Sequence, residues 1–261
     1  MCIIFVALRQ HPDYPLIIAA NRDEFYARPT QHSHFWPQSP ALLAGKDLKA
    51  GGSWMGITRD GNFAALTNIR DPSREQTTPS SRGALVTDFL RAGHPITEYS
   101  HRLHNNAHRY NGYNLLFGNY QHLAVFNSHR RSLEHLANGF HGLSNAQLNT
   151  PWPKMNRGIS ALKEYVVNTK TLLSDDLFTL LTDDTPALPD QLPDTGVPKE
   201  WEQRLSPIFI RTPEYGTRSS TVLMITKNAE INWFERVFPV PADMSTLHFE
   251  RYDYSWKIQQ E

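Results

Sequence analysis

The chain has a single cysteine, Cys2, directly after the initiator methionine. An apolar run, residues 3–8, follows it; residues 9–14 bring in Pro12 and Asp13; a second apolar run, residues 15–20, leads into Asn21-Arg22-Asp23-Glu24. Two β-rich runs around a Pro/Asp break predict an antiparallel hairpin. A loop centred near His11 and Pro12 makes paired residue numbers sum to about 23, give or take two, because loop type sets register. Cys2 then falls opposite Asn21, beside Arg22, Asp23 and Glu24. Local geometry alone brings the only thiol to a guanidinium and two carboxylates.

Methionine is normally trimmed when the next residue is as small as cysteine, which leaves Cys2 a free α-amine. That amine titrates near about 7.7–8.0 and a thiol near about 8.5, so the amine can act as base for its own side chain. A neighbouring Arg favours thiolate, and an Asp can orient the amine. This is the chemistry of an N-terminal nucleophile. The competing reading is a small buried cysteine, for free Cys is among the most buried residue types. For Arg22 and Asp23 it is an ion pair at a strand end.

The residues beyond the hairpin favour the nucleophile. Residues 21–30, Asn-Arg-Asp-Glu-Phe-Tyr-Ala-Arg-Pro-Thr, resemble the signature of the NRDE family, which includes the eukaryotic transport-and-Golgi-organisation proteins. Met1-Cys2-Ile3, Ala44-Gly45-Lys46-Asp47, Gly51-Gly52-Ser53-Trp54 and Ala65-Leu66-Thr67-Asn68-Ile69-Arg70 fit the same pattern. So do Leu143-Ser144-Asn145, Thr150-Pro151-Trp152-Pro153-Lys154 and Tyr215-Gly216-Thr217-Arg218-Ser219-Ser220. The matches run in order to about residue 225. More distantly the family is similar to choloylglycine hydrolases and penicillin V acylases, which carry Cys, Arg and Asp in a comparable opening hairpin.

Strands at both ends and in the middle, with helices clustered between them, indicate an α+β fold; the resemblance implies the four-layer αββα sandwich of N-terminal-nucleophile hydrolases, as one domain over residues 1–261. It implies a cysteine hydrolase of a non-peptide carbon–nitrogen bond, acting on a small amide or acyl substrate. Cys2 is then the nucleophile, Arg22 tunes it, and Asp23 holds the amine. Asn68 and Asn145 face the oxyanion, and Arg218 closes the site by analogy with a late Arg of the acylases. No cofactor or metal is needed. NRDE proteins are also linked to haem and lipid handling, which makes a non-enzymatic carrier, with haem as its ligand, the alternative.

Composition sets the outer bounds. The 26 Lys plus Arg balance 26 Asp plus Glu, which removes the electrostatic case for nucleic acid or an anionic membrane. One cysteine excludes an intramolecular disulfide framework and suits a reducing compartment. The opening apolar run is too short for a leader or a membrane span. Cytoplasm is the expectation.

The remaining elements must frame the hairpin. Residues 29–41, rich in Pro, His and aromatics, read as a loop that either lines a pocket or covers a sheet edge. Arg59-Asp60-Gly61 between two strand-like runs predicts a second hairpin, and Gly51-Gly52 a tight turn or close backbone approach. Helical spacing predicts helices over 84–92, 95–107 and 151–167, the last capped by Thr150, with short ones over 175–181 and 200–205. His101, His104 and His108 share one helical stripe, which reads as a solvated face in preference to a metal or haem site. Strands are expected in 113–145 and over 218–226, 231–238 and 248–254. Residues 185–198, with four prolines, form an irregular connection.

Overall fold

The computed structural model describes residues 2–77, 79–240 and 247–258. The opening hairpin pairs β1 (Cys2–Leu8) with β2 (Leu16–Phe25), closed by the Arg9 N–H on the Pro15 carbonyl at 2.8 Å. Paired residues sum to 24, as in Cys2 opposite Arg22 and Leu8 opposite Leu16. The expected partner of Cys2 is thus displaced by one residue. A one-residue slip exchanges the two faces of a strand, so this register puts Cys2 on one face with Arg22 and leaves Asp23 on the other.

Four further strands follow: β3 (Thr30–Trp36), β4 (Ser39–Asp47), β5 (Met55–Thr58) and β6 (Asn62–Asn68). Helices α1 (Gly83–Ala92) and α2 (Ile96–Asn106) precede a meander of β7 (Tyr113–Asn119), β8 (Leu123–Asn127), β9 (Ser132–His135) and β10 (Gly139–Leu143). Then come α3 (Pro153–Asn168), α4 (Ser174–Leu181) and α5 (Lys199–Arg204), and the strands β11 (Tyr215–Ile225), β12 (Glu230–Val237) and β13 (Glu250–Lys257). These strands make two antiparallel sheets, β10-β1-β2-β11-β12-β13 and β3-β4-β5-β6-β7-β8-β9.

The alternation of side chains stacks them. Ile4, Val6, Ile18 and Ala20 pack with Leu43, Ile57, Phe63 and Leu116 between the sheets. The opposite face of the hairpin, Ile3, Phe5, Ile17 and Ala19, is covered by Met155 and Leu162 of α3 and Leu177 and Phe178 of α4. On the far side Leu42, Ala44 and Ala64 meet Val86 and Phe89 of α1 and Leu103 of α2. The order is therefore helices, sheet, sheet, helices: a four-layer α+β sandwich. Strands buried on both faces read as continuous apolar runs, as residues 3–8 and 16–20 do. Each fully buried large apolar side chain contributes roughly 1.5–3 kcal/mol.

Some expectations are corrected and others hold. Residues 29–41 are not a loop but contribute β3 and the start of β4. Trp36 is buried among Leu42, Val86 and Phe89, while His32 and Phe35 face the last strand: His32 stacks on Tyr252 at 3.7 Å between ring centroids, and Phe35 meets Tyr254 and Trp256 edge-on. They close a sheet edge and line no pocket around Cys2. Helix α3 starts at Pro153, with Trp152 as its N-cap in an extended conformation. A residue before proline is pushed out of the helical region, so the second proline of Thr-Pro-Trp-Pro sets the start. His101, His104 and His108 are all exposed, and His108 lies past the end of α2. Residues 185–198 have no regular structure, yet the Thr195 N–H and hydroxyl both donate to the buried Glu202. Among the described residues no helix is long and apolar enough to cross a membrane.

Candidate functional site

The Asn21–Glu24 segment lies inside a central strand, between β1 and β11, and strand alternation divides its work. Asn21 faces the helices: its amide donates to the Leu181 and Ile208 carbonyls and accepts from Ser220 at 2.6 Å. It ties the end of α4 to the sheet. Asp23, 2% exposed, accepts from the Thr217 hydroxyl of β11 at 2.7 Å. Burial pushes its carboxyl above the ordinary range, against the pull of Lys154, the Thr217 bond and Arg22.

Arg22 turns the other way, with Cys2, into the space between the sheets. Its guanidinium carbon lies 4.3 Å from the centroid of the Trp54 ring, and Nη2 is 3.7 Å from a Glu24 carboxylate oxygen. The motifs quoted around it converge on this point. Gly45 lacks the Cβ that would collide with the Trp54 ring, and Gly52 lacks one that would strike the backbone of Gly83. Gly51, at a φ of 78°, makes the turn, and Gly52 is the close backbone approach that holds the start of α1 beside the site. Asp47 takes Arg28 in a fork, at 3.0 Å to Nε and 2.7 Å to Nη2.

The result is a cleft of ≈ 310 Å³ lined by Cys2, Arg22, Asp23, Asn68, Trp54 and Arg82, among others. Cys2 sits at its floor, partly open to it. Burial pushes the thiol above its ordinary value; Asp23 adds to the rise and Arg22 opposes it. The expected favouring of thiolate by Arg22 has the right sign, but loss of water around the sulfur outweighs it. Met1, on which the free amine depends, lies outside the described residues.

The other predicted residues are placed less evenly. Asn68, at the end of β6, lines the Cys2 cleft, and its side-chain amide bonds no described residue. Asn145 stands behind it. Its Nδ2 donates to the Asn68 carbonyl at 3.0 Å and its Oδ1 accepts from Ser144. It lines a second cleft, of ≈ 360 Å³, with Arg70, Trp152 and His129. Arg218 is not in the wall of the Cys2 cleft either. Its Nη1 donates to the Phe25, Tyr26 and Arg28 carbonyls at 3.1–3.2 Å, a brace on the chain leaving β2.

Two residues without an assigned role in the sequence belong to the same neighbourhood. Lys154, in the first turn of α3, is 3% exposed and donates Nζ to the Leu205 carbonyl at 3.0 Å. Burial brings its ammonium down to about 7, helped by Arg70 and opposed by Asp23, Glu202 and Cys2. Arg82, the residue before α1, gives Nη1 to the Gly112 carbonyl at 3.1 Å. A lysine inside a Trp-Pro-Lys helix start was the available signal for the first; nothing local marks the second.

Residues 1–239 match the family model described as Transport and Golgi organisation 2. The Transport and Golgi organization 2 homolog of Mus musculus is 33% identical over 279 residues, covering 99% of this chain and 100% of its own. The Drosophila melanogaster Transport and Golgi organization protein 2 is 28% identical over 263 residues, covering 90% of this chain and 91% of its own. Among solved structures, the C2A mutant of the conjugated bile acid hydrolase from Clostridium perfringens superposes with a TM-score of 0.51 at 8% identity, over 99% of this chain and 98% of that one. At that identity the likeness is one of fold alone. With one family's model matching almost the whole length and a relative one third identical from end to end, this chain belongs to the Transport and Golgi organisation 2 family.

Proposed function

We propose that this chain is a cysteine hydrolase of non-peptide carbon–nitrogen bonds, with Cys2 as nucleophile once Met1 is removed. The observation that carries the reading is the register of the first hairpin, which sets Cys2 and Arg22 side by side at the floor of a cleft whose wall includes Asp23 and Asn68. The bile acid hydrolase that shares the fold, altered at a cysteine in the same position of its chain, supports it.

In the proposed reaction the Cys2 α-amine accepts the thiol proton and Sγ bonds to the carbonyl carbon of an amide. Negative charge develops on the carbonyl oxygen, and the Asn68 amide is the side-chain donor for it. One such donor contributes on the order of 3 kcal/mol. Asn145 acts through its bond to the Asn68 carbonyl, as a positioning residue. The tetrahedral adduct collapses, the carbon–nitrogen bond breaks, and the leaving nitrogen takes the proton from the α-ammonium. Water, deprotonated by the same amine, then cleaves the thioester and releases the carboxylic acid. Arg22 holds thiolate charge against the burial that opposes it, and Asp23 orients the amine. Arg218 supports the site through the backbone of residues 25–28. The chemistry draws on side chains and the α-amine, in one domain and in the cytoplasm.

The test is covalent trapping. Processed protein incubated with a panel of N-acyl amides and lactones should carry an acyl group on Cys2 by intact mass, and Cys2→Ala should carry none. If no compound acylates Cys2 with Met1 confirmed absent, the hydrolase is abandoned. A stoichiometric Soret shift on adding haem would then favour the carrier.

A further inference from the structure

The charges around the Cys2 cleft do not all find partners within it. Asp47 is taken up by Arg28. Asp23 is engaged by Thr217 and lies in the field of Lys154. Glu24 accepts from its neighbour, the Phe25 N–H, and reaches only Nη2 of Arg22. Two cationic edges are left over. Arg22 is 6% exposed, and its Nη1 is buried with no hydrogen-bond acceptor among the described residues. Arg82 lines the same cleft, has one carbonyl partner, and has no carboxylate within ion-pair distance among the described residues. The charges that act on it are Cys2, Glu75 and Glu24, with Arg28 opposing.

A buried guanidinium N–H without an acceptor is costly unless a ligand supplies one. Here the surroundings suit a negative ligand. Gly83, the first residue of α1, lines the cleft beside Arg82, so the positive end of a ten-residue helix faces the same space. The close approach of Gly52 to Gly83 fixes that helix end in place.

Resting on the hydrolase reading, we infer that the Arg22–Arg82 edge of the cleft binds an oxyanion carried by the substrate near its scissile carbonyl, a carboxylate or a phosphate monoester. Planar guanidinium groups recognise both through paired N–H donors. Such a group would face the Arg22 guanidinium across the cleft wall and give Arg82 its counter-charge. The substrate class is then an N-acylated amino acid or an N-acylated amino phosphate, in preference to an uncharged amide.

Binding, separated from turnover, tests this. Cys2→Ala protein is titrated calorimetrically with N-hexanoylglycine, its methyl ester and N-hexanoyl-O-phosphoethanolamine. At least one anion should bind about tenfold or more tighter than the ester, and Arg82→Ala should lose that preference, a roughly ten- to hundredfold drop in affinity for the anion. Arg82→Gln, which keeps a donor for the Gly112 carbonyl, should lose it too and guards against a folding failure. The tighter anion identifies the group. Equal binding of acid, phosphate and ester, binding of neither anion, or a preference that survives in both Arg82 variants overturns the inference. Anion binding without any acyl adduct on Cys2 in the trapping experiment would remove the hydrolase and keep the oxyanion site. An adduct without anion preference would do the reverse.

Discussion

Arg22 lies over the face of Trp54, 4.3 Å from guanidinium carbon to ring centroid, and the indole can lie there only because residue 45 has no side chain. The contact joins the two sheets at the floor of the cleft, since Arg22 belongs to β2 and Trp54 enters β5. A cation over an aromatic face contributes about 0.5–2 kcal/mol, more where water is excluded.

Gly45→Ala should therefore push the indole off its seat and cost about 1–3 kcal/mol, the usual range for overpacking. Urea unfolding measures it. On a Trp54→Leu background the same substitution should cost much less. An equal cost in both backgrounds would mean that the strain lies elsewhere.

The thiol offers a second check. Because burial pushes Cys2 up, protein that retains Met1 should label slowly with iodoacetamide, at a rate still climbing above about pH 8.5, the ordinary thiol value. Arg22→Ala should slow it further. Removing Met1 should speed labelling near neutral pH, because the amine is then on the same residue as the sulfur. Labelling that is already fast near neutrality with Met1 present would contradict the burial.

Asp23 should show a conflict between stability and activity. Its folded carboxyl titrates above its unfolded value. A group raised in this way contributes stability that is present at low pH and is lost as pH rises through the folded value. Ionised Asp23 is thus a net burden near neutrality. Asp23→Asn, which still accepts the Thr217 hydroxyl, should melt at the same temperature or higher at pH 7. Acylation of Cys2 should nevertheless fall by about a hundredfold, the loss expected when a base is no longer held in place. A clear loss of stability would make Asp23 a structural ion.

Lys154 predicts a pH profile of its own. Its ammonium is depressed to about 7 when folded, against about 10.4 in an unfolded chain. Between those values the unfolded chain binds the extra proton, so stability rises with pH, by up to ~1.4 kcal/mol per unit from this one group. Lys154→Met should flatten urea-unfolding stability across that window. An unchanged slope would show that Lys154 stays charged in the fold.

The first hairpin was legible because its information is local. Two apolar runs and a short break bring residue 2 to the 21–24 segment without help from the rest of the chain, and the continuous apolar pattern matches strands buried on both faces. The one-residue shift from Asn21 to Arg22 was not legible. It depends on how the 9–15 loop closes, with Arg9 at a positive φ of 54° and its N–H on Pro15. That shift decides which of two charged neighbours shares a face with the thiol.

Residue types and spacing marked Cys2, Arg22 and Asp23, the family resemblance added Asn68, and the cleft is lined by all four. Tertiary packing alone decided the rest. Asn145 holds the Asn68 backbone, Arg218 braces three carbonyls, and Lys154 and Arg82 arrive from α3 and from the start of α1. Their positions follow from where helices dock on sheets, through contacts far apart in sequence that no local spacing encodes. The strand in residues 30–36 has the same origin, since His32 and Phe35 pack against Tyr252, Tyr254 and Trp256 at the other end of the chain and Trp36 against Val86 and Phe89 of α1. Hairpin register and hydrophobic alternation act over a few residues and can be read along the chain; burial of charge depends on what the fold lays over it.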